Sequence, residues 1–221
     1  MVNCMGEGEY YDYEIDGYEI RWVEPHYDEN GHKTGEVYKK IFLDGDTVRV
    51  QESVKYRTHS GFGTYEVITN YITDYDPEKY MKRIEKIKEL MENTGDDEEL
   101  DVYEETESLV EDVLGSIYDE DDLVDIAVDV ARNVINETYG VDISESDIDY
   151  GVQYEYYGPT YVEGTCHIEK GGKDMTIKFS VTIASFKEIL GNQVTTYYIP
   201  SEDDVEIEEI EETEDDSTDE I

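Results

Sequence analysis

Apolar and polar positions alternate with a period of two along the first third of the chain. Tyr11, Tyr13 and Ile15 lead to Asp16-Gly17, and Tyr18, Ile20 and Trp22 follow it. Asp-Gly between two alternating runs predicts a hairpin, because glycine supplies the positive φ that a tight turn needs. Asp28-Glu29-Asn30-Gly31 marks a second turn. Asp44-Gly45-Asp46 marks a third, between strands expected over residues 37–43 and 47–56. A glycine-bearing loop over residues 58–63 precedes another expected strand, residues 65–72. Residues 1–8 show no pattern and read as frayed.

The period then lengthens to that of a helix. Asp76 suits the N-cap, and Pro77 at the first helical position loses no needed donor. This helix is expected to run to about Asn93, with Gly95 as its stop. A second is expected over residues 97–114, and a third over 121–139 with Gly140 closing it. Strand-like alternation returns at residues 150–157, 160–169 and 174–184, the last two joined through Gly171-Gly172. Residues 186–190 read as a short helix and 194–199 as a last strand. The expected fold is α+β: antiparallel β-sheet regions at both ends of the body, a two- to three-helix middle and an acidic C-terminal tail. The regions are 1–75, 76–140, 141–200 and 201–221, the last read as disordered because it holds thirteen acids and no base.

Charge changes the picture most. The chain has 59 Asp and Glu against 17 Lys and Arg, a formal net charge of -42 over 221 residues. Residues 1–88 carry 18 acids and 12 bases, whereas residues 89–221 carry 41 acids and 5 bases. Like charges crowded on a compact surface oppose folding, so the imbalance points to a partner or an environment that uses it. From Glu89 to Asp129 there are eighteen acids and no base. On a helical wheel, Val102, Tyr103, Leu109, Val110, Val113, Leu114 and Ile117 share one side of the second helix. Asp97, Asp101, Glu104, Glu105, Glu111 and Asp112 share the other. At ~1.5 Å rise per residue these six carboxylates would come about every 4 Å. One strand of duplex DNA presents a phosphate every ~3.4 Å. The first helix, by contrast, mixes signs through Glu78, Lys79, Lys82, Arg83, Glu85, Lys86, Lys88 and Glu89. Such mixing stabilises a solvated helix through four-residue pairs.

Leu123, Ile126, Ala127, Val130, Ala131, Val134 and Ile135 cover more than half of the third helix, so it is expected to be mostly buried. Its acids Asp121, Asp122, Asp125 and Asp129 keep to one stripe, and Asp119 and Glu120 add to the cluster at its start. Acids there also favour the helix dipole. These twelve carboxylates, Asp97 to Asp129, are the candidate partner-binding residues. The 21 tyrosines are the other compositional oddity. Tyr13, Tyr18, Tyr38, Tyr65, Tyr154 and Tyr156 alternate within strands and suit sheet packing. Neighbours such as Tyr10-Tyr11 and Tyr156-Tyr157 leave one ring facing outward, where a partner can reach it.

No catalytic constellation emerges. Cys4 and Cys166 make no disulfide framework and read as free thiols of a reducing cytosol. His26, His32, His59 and His167 have no zinc-site spacing. Cys166 and His167 are neighbours in a strand and point to opposite faces, a poor thiolate–imidazole geometry. Asp12, Glu14, Asp16 and Gly17 open like a calcium loop, but Val23 stands where its bidentate glutamate is required. Gly61-Phe62-Gly63 is too short to cradle a phosphate. No apolar run approaches the ~20 residues of a membrane span, and no secretion signal opens the chain. The expectation is a cytoplasmic protein that is not an enzyme and carries neither cofactor nor metal. Direct nucleic-acid or membrane binding is not expected, since both need cations.

In charge density, size and lack of catalytic motifs the chain resembles the small acidic nucleic-acid-mimic inhibitors that phages carry against restriction and CRISPR enzymes. No family motif is matched, so no functional residue carries over. The resemblance implies blockage of the basic channel of a host defence nuclease, or its complex, in the host cytosol. Two alternatives stand beside it: a salt-adapted ordinary protein with a uniformly acidic surface, and an acidic adaptor for a basic non-nuclease partner. A homodimer is compatible with the pattern.

Overall fold

The computed structural model of the chain describes residues 11–57, 63–93, 99–155 and 157–210. Ten strands and three α-helices lie among them, with strands on both sides of the helices in the sequence, an α+β fold. The strands are β1 (Glu14–Asp16), β2 (Glu19–Tyr27), β3 (Lys33–Asp44), β4 (Thr47–Arg57) and β5 (Thr64–Ile72), then β6 (Ile148–Tyr154), β7 (Thr160–Lys170), β8 (Lys173–Ile189), β9 (Asn192–Tyr197) and β10 (Val205–Ile210). The helices are α1 (Pro77–Asn93), α2 (Glu99–Leu114) and α3 (Glu120–Tyr139). Two compact units form. One holds Met1–Tyr118 and Glu188–Thr195; the other holds Asp119–Lys187 and Thr196–Ile221. The three helices therefore do not make one helical region: α1 and α2 go with the first unit and α3 with the second.

In the first unit β1 to β5 form an antiparallel meander, each strand paired with the next. Gly17 and Gly45 take φ of +61° in the two-residue loops of two of its hairpins, as expected from sequence. The face that carries Ile20, Trp22, Ile41, Val48 and Val50 joins Tyr80, Ile84 and Ile87 of α1 and Leu109, Val110 and Val113 of α2 in one core. Asp76 caps α1, its carboxylate accepting the Lys79 N–H at 2.6 Å. Tyr80 is wholly buried, and its hydroxyl donates to the Tyr18 carbonyl at 2.8 Å, tying α1 to the first hairpin. Beyond α2 the chain returns to β5, where the Tyr118 N–H donates to the Ile72 carbonyl at 3.1 Å.

In the second unit the strand order is β8-β7-β6, all antiparallel, and β10 pairs with β8. Alternate residues of β7 (Val162, Cys166, Ile168) and β8 (Ile177, Phe179, Val181, Ile183) are buried on one face. Leu123, Val124, Ala127, Val128, Ala131, Ile135 and Tyr139 give α3 its buried side. Gly164 lies opposite Phe179, and a Cβ there would stand 2.4 Å from the Phe179 ring. Glycine is what lets that ring lie across β7. A reciprocal capping box starts α3: the Asp122 N–H donates to Asp119 and the Asp119 N–H donates to Asp122. Gly140 ends it at φ +67°.

Two expectations are corrected. Residues 186–190 are not a helix; β8 continues through Ile189 and turns back at Leu190-Gly191, with φ of +53° and +82°. Positive φ at both central residues is the signature of a type I′ hairpin, which usually takes Asn-Gly. Here a fully exposed Leu fills the first position. Residues 205–210 are not a free tail either. They form β10, with Val205 opposite Val181 and Ile207 opposite Phe179. Residues 211–221 of the expected tail lie outside the described residues.

Candidate functional site

The expected carboxylates divide between the units. Asp97 lies outside the described residues. Asp101, Glu104, Glu105, Glu111 and Asp112 belong to α2 in the first unit, and Asp119 to Asp129 belong to the second.

On α2 the acids are not equivalent. Arg83 of α1 reaches across to Asp112 at 2.6 Å and to Glu105 at 3.2 Å, and Lys86 reaches Glu105 at 2.8 Å. Arg83 also donates to the Tyr75 and Ser108 hydroxyls. Lys86 first, and then Arg83, holds the Glu105 carboxyl below its ordinary 4.5. Glu105 and Asp112 thus bind α2 to α1, and their charge is largely spent within the unit. Asp101, Glu104 and Glu111 stay exposed, with no ion pair among the described residues. Glu104 and Glu111 share a stripe about 100° round the helix from Glu105 and Asp112, whereas Asp101, one turn before Glu105, lies on the side of that pair. Three carboxylates over about 15 Å of helix is sparser than the phosphate spacing of a nucleic-acid strand. The expected match in charge density therefore fails for α2 by itself.

On α3 the stripe is present and solvated: Asp121, Asp122, Asp125 and Asp129 are all exposed. Asp119 and Asp122 also serve the cap, and Asp129 pairs with Arg132 at 2.8 Å. Glu120 accepts from the Tyr154 hydroxyl of β6. That hydrogen bond comes first in pushing Tyr154 up to about 12. Asp121 and Asp125 are the members of this stripe without such an internal role.

A second acidic feature lies on the sheet face of the second unit opposite its core. Its source is β10, whose Glu206 and Glu208 stand opposite Ser180 and Lys178. With Glu155, Glu163, Asp204 and Tyr161 they line a cavity of about 460 Å³. Lys178 is its only cationic lining residue and is 3.5 Å from Glu163. The expectation of a tail over residues 201–221 leaves no place for this surface. The alternation Val205-Glu206-Ile207-Glu208 was the available signal. Glu209 points to the core side, where it accepts from the Tyr139 hydroxyl at 3.0 Å. Burial first, and then that bond, lifts Tyr139 to about 12.

Other groups have structural uses. Cys166 is a buried free thiol pushed up by burial, while its neighbour His167 meets Thr176 on the exposed face. Among the described residues no three His, Cys, Asp or Glu side chains converge to hold a metal ion, and no helix is long and apolar enough to cross a membrane. Cys4, His59 and the Gly61-Phe62 pair lie outside the described residues. Compared with protein-family models, curated proteins and solved structures, the chain matches none.

Proposed function

We propose that the protein is an acidic nucleic-acid mimic, an inhibitor that occupies the basic channel of a nucleic-acid-binding protein, with a defence nuclease of the restriction or CRISPR type as the intended target in the host cytosol. The observation that carries this reading is that Asp101, Glu104 and Glu111 of α2 are exposed and make no ion pair among the described residues. Among the described residues no base pairs with them, although Arg83 and Lys86 pair with their neighbours Asp112 and Glu105. The exposed acids of α3 and the acid-lined cavity beside β10 extend the same chemistry to the second unit. Inhibition is competitive. Association is steered by charge, and affinity falls steeply with salt.

The test is capture of partners from a bacterial lysate at low salt with the wild type and with D101K/E104K/E111K. Nucleic-acid enzymes should be retained by the wild type, released by a duplex oligonucleotide and lost with the variant. Equal retention by the variant removes α2 from the interface. Failure of the oligonucleotide to compete removes mimicry altogether. Glu105→Lys and Asp112→Lys are unsuitable for this purpose, because they would place a cation against Arg83 and Lys86 and weaken the fold.

Salt adaptation is the second reading, and one observation favours it. The first unit carries 31 acids and 12 bases and the second 28 and 5, net charges of -19 and -23. The steep step at Lys88 is therefore a step along the sequence, not between the units. A salt-adapted protein should unfold without molar salt, whereas a mimic should stay folded near 0.15 M, where charges beyond ~8 Å are already screened.

A further inference from the structure

The sheet face of the first unit opposite its core gathers cations in a chain that has few. Register places residues on this face in three rows. Arg21, Lys40, Gln51 and Asn70 stand side by side across β2 to β5. Val23, Tyr38, Ser53 and Ile68 form the next row, and Lys55 and Glu66 stand in a third. The face is concave. A cavity of about 650 Å³, lined among others by Arg21, Val23, Tyr38, Lys40, Ser53 and Lys55, lies over it. That volume is within the usual ~300–1,000 Å³ of small-molecule sites.

Three features of this face point to an anion. Arg21 and Lys40 are directly opposed across the β2–β3 ladder, an arrangement of like charges that costs stability. Glu19 covers Arg21 at 2.6 Å and also feels the charge of Lys40, but Lys40 makes no ion pair among the described residues and rests 4.5 Å from the centre of the Phe42 ring. Lys55 faces Glu66 across the next ladder without pairing with it. Its ammonium sits 4.6 Å over the Tyr38 ring, while Glu66 takes the hydrogen of Ser53. Lys40 and Lys55 thus line one cavity, lie on aromatic rings and make no ion pair among the described residues, which leaves both ammonium groups available to a ligand. Between the two cationic rows, which stand about 13 Å apart along the strands, lies an apolar strip. Its exposed members are Val23 at 42% and Tyr38 at 40%.

We infer that this cavity binds a small organic monoanion with a flat apolar body, an aromatic carboxylate in chemical class. The ring lies on Val23 and Tyr38, and the carboxylate takes its charge-assisted hydrogen bonds from Lys40 or Lys55. A polynucleotide is disfavoured, for two reasons. Asp12, Glu14 and Glu66 also line the cavity. A net charge of -42 repels a ligand in proportion to that ligand's own charge. The site shares no residue with the acidic surfaces of the proposed function, so either can fail without the other.

The experiment is a titration of the ¹⁵N-labelled full chain with 2-naphthoate, with its neutral carboxamide and with a short oligothymidylate, followed by amide shifts and calorimetry. Naphthoate should move the amides of β2, β3 and β4 around Val23, Tyr38, Lys40 and Lys55. The carboxamide should bind about tenfold more weakly, and K40Q/K55Q should lose about as much for naphthoate alone. Y38L, which keeps both cations, should weaken both ring compounds together. Shifts elsewhere, no shifts at millimolar naphthoate, or equal binding of the neutral amide would overturn the assignment. So would tighter binding of the oligothymidylate at these amides, which would mark the face as a nucleic-acid platform.

Discussion

Each unit has a sheet with its core on one face, and the opposite faces carry contrasting charge. On the first, Arg21, Lys40 and Lys55 flank an apolar strip. On the second, Glu155, Glu163, Asp204, Glu206 and Glu208 surround a single lysine. The helices show a parallel contrast. In the first unit Arg83 and Lys86 bind two α2 acids, and Lys39 joins Glu24 at 3.0 Å and Glu52 at 2.8 Å. In the second, five bases serve 28 acids. The first unit uses charge as internal structure, and the second leaves most of it to solvent or to a partner. Net charge, nearly equal for the two, conceals this difference.

Removing a cation from each unit should expose that difference. Arg83→Ala takes from Asp112 its cation, from Glu105 one of two and from two hydroxyls their partner, and should cost about 1–2 kcal/mol in denaturant unfolding. Arg132→Ala, which releases only Asp129 at the surface, should cost at most about 0.5 kcal/mol. Equal losses would mean that the first unit does not depend on its internal pairs. In the second unit stability should instead depend on packing. Gly164→Ala puts a methyl group into the Phe179 ring and should cost about 1–3 kcal/mol. Gly151→Ala, with open space at its Cβ, should stay within about 0.5 kcal/mol.

The pH dependence refines the comparison. The Glu105 carboxyl is held below 4.5 in the folded state, so its contribution is complete above 4.5 and is lost as pH falls through the depressed folded value. The stability gap between wild type and Glu105→Gln should accordingly be widest near neutrality and close in acid. A gap that persists in acid would mean that Glu105 acts by packing. The smallest effects should come from single reversals on the two open faces. Lys40→Glu, placed opposite Arg21, and Glu206→Lys, placed opposite Ser180 among carboxylates, should each stabilise by about 0.2–1 kcal/mol. If Lys40→Glu destabilises, the Arg21–Lys40 opposition is not a strain in the sheet.

Much of this was readable in advance wherever the information is local. The Asp-Gly turns, the Asp76-Pro77 start, the Gly140 stop and the apolar side of α2 appear where periodicity and capping chemistry place them, whereas the buried side of α3 is turned toward Val124, Val128 and Tyr139 and away from Ile126, Val130 and Val134. Phe186 to Leu190 misled because a short apolar run suits a helix or a strand equally well, and pairing with a distant segment decides. The acidic stripe on α2 was half legible. Its helical side could be read from spacing, but not that Glu105 and Asp112 would meet Arg83 and Lys86.

The order of residues alone settled the α+β class, most element positions and the excess of negative charge, because turns, caps and amphipathic periods depend on near neighbours. Contacts between distant segments settled which carboxylates of α2 are paired, that residues 205–210 join β8, and that Lys40 and Lys55 would line one cavity with an apolar strip between them. Those outcomes rest on cross-strand register and helix–helix approach, which bring together residues tens of positions apart and leave no short-range mark on the chain.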